Sequence, residues 1–117
     1  MRVLLVDDEE ELVTALAERL SFRGIEADWS TSGSRALELA EESHYDVAVL
    51  DVKMLNISGI ELKKRLEKKR PGMSYIFLTG HGSEEDFRAG SAEGSQYLVK
   101  PLDIDTLIET MRQVVQT

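Results

Sequence analysis

The sequence contains no cysteine, which excludes disulfide staples and thiolate metal sites and points to a reducing compartment. Proline occurs only twice in 117 residues, and no stretch reads as a linker, low-complexity tract or internal repeat. No apolar run approaches the roughly 20 residues that a membrane-spanning helix needs. Positive charge is short: 14 Lys and Arg face 22 Asp and Glu, for a net charge of −8. That balance argues against direct nucleic-acid binding, which requires a basic surface. Met1 leads directly into a strand pattern with no signal peptide before it, so the expectation is a soluble cytoplasmic domain with no membrane association. A chain of this length is expected to form one domain, residues 1–117, and to bury about two thirds of its unfolded surface.

What is present is alternation. Short apolar runs, Val3-Leu4-Leu5-Val6, Val47-Ala48-Val49-Leu50, Tyr75-Ile76-Phe77-Leu78 and Tyr97-Leu98-Val99, are separated by segments of helical period. A weaker run, Ile25 to Trp29, alternates apolar and polar residues as an edge strand does. Between the runs, Leu12, Leu16 and Leu20 share one helical face, as do Ala36, Leu37 and Ala40, then Ile60, Leu62 and Leu66. A fourth helical segment, Glu84 to Glu93, is poor in apolar residues and is expected to be the least stable element. The last has the clearest stripe: Ile104, Leu107, Ile108, Met111 and Val115. Ser58, Ser83 and Asp103 stand where helix N-caps belong, and Gly24 and Gly72 where the chain reverses. Strand and helix thus alternate five times, predicting an α/β fold: a doubly wound, five-stranded parallel sheet with helices on both faces. In the order 2-1-3-4-5, strands one and three flank the switch point, where ligands bind beyond the carboxyl ends of the strands.

The residues at those ends carry chemistry. Asp7 and Asp8 follow the first strand, Asp51 ends the third, Thr79 follows the fourth and Lys100 the fifth. Three carboxylates brought together cannot all stay ionised without a counter-charge. A hard divalent cation supplies one, and Mg²⁺ takes one or two carboxylates together with waters and phosphate oxygens. A carboxylate can attack phosphorus to give an acyl phosphate, with an ammonium and a hydroxyl stabilising the equatorial oxygens.

The stretches VLLVDDE, VAVLDVKM, IFLTGHGS and QYLVKPLD resemble, in order and spacing, the response regulator receiver domain (CheY-like) of bacterial two-component signal transduction. The resemblance implies a (βα)5 flavodoxin-like fold and phosphotransfer from a histidine kinase phosphohistidine to Asp51. It further implies Mg²⁺ or Mn²⁺ bound by Asp7, Asp8, Asp51 and the backbone carbonyl of Lys53. Thr79 and Lys100 would contact the phosphoryl group, and Thr79 and Tyr97 would form the switch. Lys53 and His81 would tune dephosphorylation, and Pro101 would follow a cis peptide bond. Such a domain catalyses its own phosphotransfer and dephosphorylation rather than turning over a substrate. Its partners would be a sensor histidine kinase or phosphotransfer protein and an output domain. A homodimer through the face of helix four, strand five and helix five is implied by the family's habit of pairing there. Three positions depart from the family pattern: Leu55 stands where proline is usual, Gly80 where alanine is common, and Gly94-Ser95 for Gly-Ala.

Simpler explanations exist for each residue singly. Asp7 and Asp8 could begin a helix, Asp51 could mark a turn, and Tyr97 could be core. His44 reads as a surface residue. Lys63, Lys64, Arg65, Lys68, Lys69 and Arg70 read as the solvated face of the third helix or a surface for an acidic partner, and Glu9, Glu10 and Glu11 as exposed acids of the first. A degenerate receiver that binds partners without phosphorylation is the alternative reading. An aspartyl phosphohydrolase would carry DxDx[TV] after strand one, where this chain has DDEE, and nucleotide or flavin binding would be opposed by the acids there.

Overall fold

A computed structural model of the chain describes residues 1–80 and 96–116. In chain order the elements are β1 (Arg2–Val6), α1 (Glu10–Phe22), β2 (Glu26–Ser30), α2 (Gly33–Glu42), β3 (Val47–Asp51), α3 (Gly59–Lys69), β4 (Ser74–Thr79), β5 (Gln96–Val99) and α4 (Ile104–Gln116). All strand pairs are parallel, and the order is β2-β1-β3-β4-β5. The expected sheet and its flavodoxin-like topology are therefore present. The fourth helical segment with Ser83, as well as His81 and Gly94-Ser95, lies outside the described residues.

Side chains of a strand alternate between the two faces of a sheet, and here each face has its own core. Val3, Leu5, Val47, Val49, Ile76 and Leu78 meet Val13, Leu16 and Leu20 of α1 with Leu107, Ile108 and Met111 of α4. Leu4, Val6, Ala48, Leu50, Tyr75 and Phe77 meet Ala36 and Ala40 of α2 with Leu62 and Leu66 of α3. This explains why β1, β3 and β4 are continuous apolar runs: both faces are covered.

Local signals set the helix ends. Ser32 and Ser58 accept hydrogen bonds from the Arg35 and Glu61 amides, and Asp103 accepts from the Thr106 amide at 3.0 Å. Gly24 and Gly72 have φ of 76° and 99°, the left-handed region that side chains avoid. At the end of α3, Arg70 donates to the carbonyls of Ala40 and Glu41 at 2.8 and 3.1 Å. One guanidinium thereby satisfies carbonyls that α2 leaves open at its C-terminus.

Two helix faces differ from the periodicity reading. Lys63 is buried, not solvated: its ammonium lies 5.5 Å from the centre of the Tyr75 ring and 3.4 Å from Glu67. A lysine stem can cover apolar surface, and an aromatic face and a carboxylate compensate the charge. In α4, Val114 packs on the core while Val115 is 40% exposed, because after Met111 the helix turns its i+3 position, not i+4, toward the sheet.

Leu50 is fully buried immediately before Asp51. Leu50→Ala is expected to lower stability by about 2–5 kcal/mol, read as an earlier midpoint in urea unfolding.

Candidate functional site

The carboxyl ends of β1, β3, β4 and β5 meet at one edge. Asp7, just past β1, is held there by its amide, which donates to the Ser30 carbonyl at 3.2 Å. Its side chain is only 1% exposed. Oδ1 accepts from the Glu9 amide at 2.9 Å, whereas Oδ2 is buried without a hydrogen-bond donor in regular geometry. Lys100 Nζ lies 2.7 Å from that Oδ2 and 3.6 Å from Asp51 Oδ1, an ion pair approached obliquely. Asp51 ends β3 and is nearly covered, Asp8 is exposed, and Thr79 is buried at the end of β4. The Lys100 amide donates to the Thr79 carbonyl at 2.8 Å, fixing the lysine to its neighbouring strand. The Lys100–Pro101 peptide bond is cis.

Carboxylate oxygens of Asp7, Asp8 and Asp51 all lie within 4.8 Å of one another. Beside them opens a cleft of about 220 Å³, lined by Asp8, Glu9, Asp51, Val52, Lys53, Thr79, Gly80 and Lys100. The electrostatics follow from this crowding. Burial, then the Asp7 charge, push the Asp51 carboxyl up from 3.8 to about 6; Lys100 and a backbone hydrogen bond from Lys53 pull the other way, and Asp8 adds to the rise. Burial pulls the Lys100 ammonium down, but Asp7, Asp51 and Glu9 outweigh it and hold the group above its ordinary value.

This donor set fits a hard cation. It offers oxygen ligands alone, an excess of negative charge, and one buried carboxylate oxygen without a regular donor; Mg²⁺ prefers such sites. Asp7, Asp8 and Asp51 would hold it.

Glu9 faces water as expected, its side chain 65% exposed, and its Oε1 also reaches to 3.3 Å from Lys100 Nζ. It occupies the N-cap position of α1 without making a side-chain cap, so its carboxylate is free to turn toward the cleft. Spacing alone could not separate Glu9 from Glu10 and Glu11; a lysine brought from β5 does. Tyr97 sits on β5, partly buried, with its ring stacked on Phe77 at 5.2 Å between centroids and 29° between planes. It lies on the α2–α3 side of the sheet, away from the carboxylates. His44 is exposed, with Nε2 2.9 Å from Arg70.

A doubly wound parallel sheet of order 2-1-3-4-5 takes its ligands beyond the carboxyl ends of the strands at the switch point, where the acidic cluster and the lysine lie. The profile of the response regulator receiver domain matches residues 3–112, and the chain belongs to that family of two-component signalling domains. It is 32% identical over 115 residues to the transcriptional regulatory protein GlrR of Escherichia coli (strain K12), covering 97% of this chain and 26% of that protein. It is 34% identical over 113 residues to the transcriptional regulatory protein TcrA of Mycobacterium tuberculosis (strain ATCC 25618 / H37Rv), covering 96% and 45%. Its structure matches the receiver domain of the Francisella response regulator 1452 with a TM-score of 0.85 and 32% identity, over 98% of this chain and 96% of that one. The chemotaxis protein CheY4 of Vibrio cholerae matches with a TM-score of 0.87 and 30% identity, over 97% of each chain. The chain spans about a quarter of GlrR and less than half of TcrA. No helix among the described residues is long and apolar enough to cross a membrane.

In cation-free buffer, the raised Asp51 carboxyl favours folding fully below its unfolded value of 3.8, and that contribution is lost as pH rises through about 6. Asp51→Asn, which cannot ionise, should therefore stabilise the cation-free protein at pH 7.5 by about 1–3 kcal/mol. Thermal melts should show that advantage disappear below about pH 4.

Proposed function

We propose that this domain is a phosphorylation switch that accepts a phosphoryl group on Asp51 from the phosphohistidine of a sensor kinase or phosphotransfer protein. The observation that carries this reading is the placement of Lys100 Nζ against both Asp7 and Asp51, beside a cleft open to solvent. An Asp51 carboxylate oxygen attacks phosphorus, the O–P bond forms, and the P–N bond breaks with its electron pair returning to the imidazole. Lys100 then has a new anion to bind in place of part of its contact with Asp51, and the Thr79 hydroxyl donates to another phosphoryl oxygen. Asp7, Asp8, Asp51 and the Lys53 carbonyl would hold Mg²⁺, whose positive charge would offset the carboxylates and the incoming phosphoryl oxygens. Asp7 and Asp8 orient and neutralise rather than react. Lys53 and His81, each two residues beyond a reactive side chain, set how readily water reaches the acyl phosphate.

The output follows from a shift between two conformations. Drawing Thr79 toward the phosphoryl group changes the end of β4, next to which Tyr97 is stacked on Phe77. A bias of a few kcal/mol between Tyr97 positions is enough to change which partner, output domain or second copy the surface of β5 and α4 prefers.

Incubation with acetyl phosphate and Mg²⁺ should add one phosphoryl group by intact mass. Asp51→Asn should add none, and Lys100→Ala should slow the gain by about 10²-fold. No gain on the wild-type chain, or equal gain on Asp51→Asn, would leave the domain as a phosphorylation-independent interaction module.

A further inference from the structure

The loop from Asp51 to α3 carries Lys53, yet its tip is poorly held by side chains: Leu55 is 88% exposed. Its base is closed instead by bare backbone. The Gly59 amide donates to the Val52 carbonyl at 2.9 Å. A Cβ on Gly59 would overlap the Asp51 carbonyl oxygen and lie 3.0 Å from the carbon of that group and 3.1 Å from Val52 Cα. Neither side has room to retreat. The Val52 amide is bound to the Leu78 carbonyl at 3.0 Å, and α3 is fixed from its first turn by the Ser58 cap. At the other flank, a Cβ on Gly33, the first residue of α2, would lie 2.6 Å from Ile57 Cγ2. There the obstacle is a side-chain methyl, not backbone.

We propose that Gly59 and Gly33 are positioning residues for the cation site, which rests on the reading of that site given above. By admitting no side chain, Gly59 lets the start of α3 press against the backbone of Asp51. The Asp51 carboxylate and the Lys53 backbone then keep the spacing a small cation demands. Gly33 sets the same loop from its far end by seating Ile57 against α2. The two should differ in how they fail. A methyl at Gly59 displaces backbone and has no remedy, whereas a methyl at Gly33 is relieved by removing the methyl it strikes.

Titration with Mn²⁺ alone, with free Mn²⁺ followed by electron paramagnetic resonance, tests this without phosphorylation. Thermal melts of each variant in cation-free buffer establish that the protein titrated is folded. Gly59→Ala should weaken Mn²⁺ binding by at least about tenfold, the scale on which supporting residues act on metal sites. Gly33→Ala should weaken it too, and adding Ile57→Ala should return affinity to within about twofold of Ile57→Ala alone, a non-additivity that a double-mutant cycle reads directly. Folded Gly59→Ala binding as tightly as wild type would overturn the proposal, since a merely structural glycine shifts the melt and not the affinity. If Gly59→Ala does not fold, the Gly33–Ile57 cycle decides, and strictly additive effects overturn it. A wild-type chain that binds no Mn²⁺ would instead bring down the cation site itself.

Discussion

The architecture turns on one electrostatic constraint: three carboxylates are crowded at the switch point of the sheet, with two of them buried and a single ammonium between them. Buried like charges are costly, and a low-dielectric setting strengthens both their repulsion and their attraction to any cation. The fold accepts that cost by placing Lys100, from the far end of the chain, where it touches Asp7, Asp51 and Glu9 at once. One lysine does not balance four acids. The remaining negative charge makes the edge receptive to a metal ion.

Geometry at this edge is imposed by backbone more than by side-chain packing. Asp7 is tethered through its amide to β2, Val52 through its amide to β4, and Lys100 through its amide to Thr79. The stacked pair of Phe77 and Tyr97 stands on the opposite face of the sheet from α1 and α4.

Much of this was legible in the sequence because the signals are local or periodic. Continuous apolar runs identified β1, β3 and β4, and the ends of these strands and of β5 placed Asp7, Asp51, Thr79 and Lys100 on one edge. What escaped depends on contacts between distant segments. Glu9 joins the site only because Lys100 arrives beside it. Lys63 looks solvated in a run of lysines, and only the ring of Tyr75 across the interface explains its burial. The close approaches at Gly33 and Gly59 were invisible because a glycine that makes room leaves no periodic mark. Val114 displaced Val115 from the core because a stripe of branched residues does not say which of two neighbours a helix will turn inward.

The two margins of the sheet have a further consequence for how the domain behaves among its own copies. At one margin, β2 presents Glu26 and Asp28, both engaged by Arg2. At the other, β5 is four residues long and runs straight into Lys100 and a proline that has no amide to donate. Neither offers a long, uncharged row of open backbone groups for another strand to copy. Both margins therefore disfavour the open-ended addition of strands from other copies.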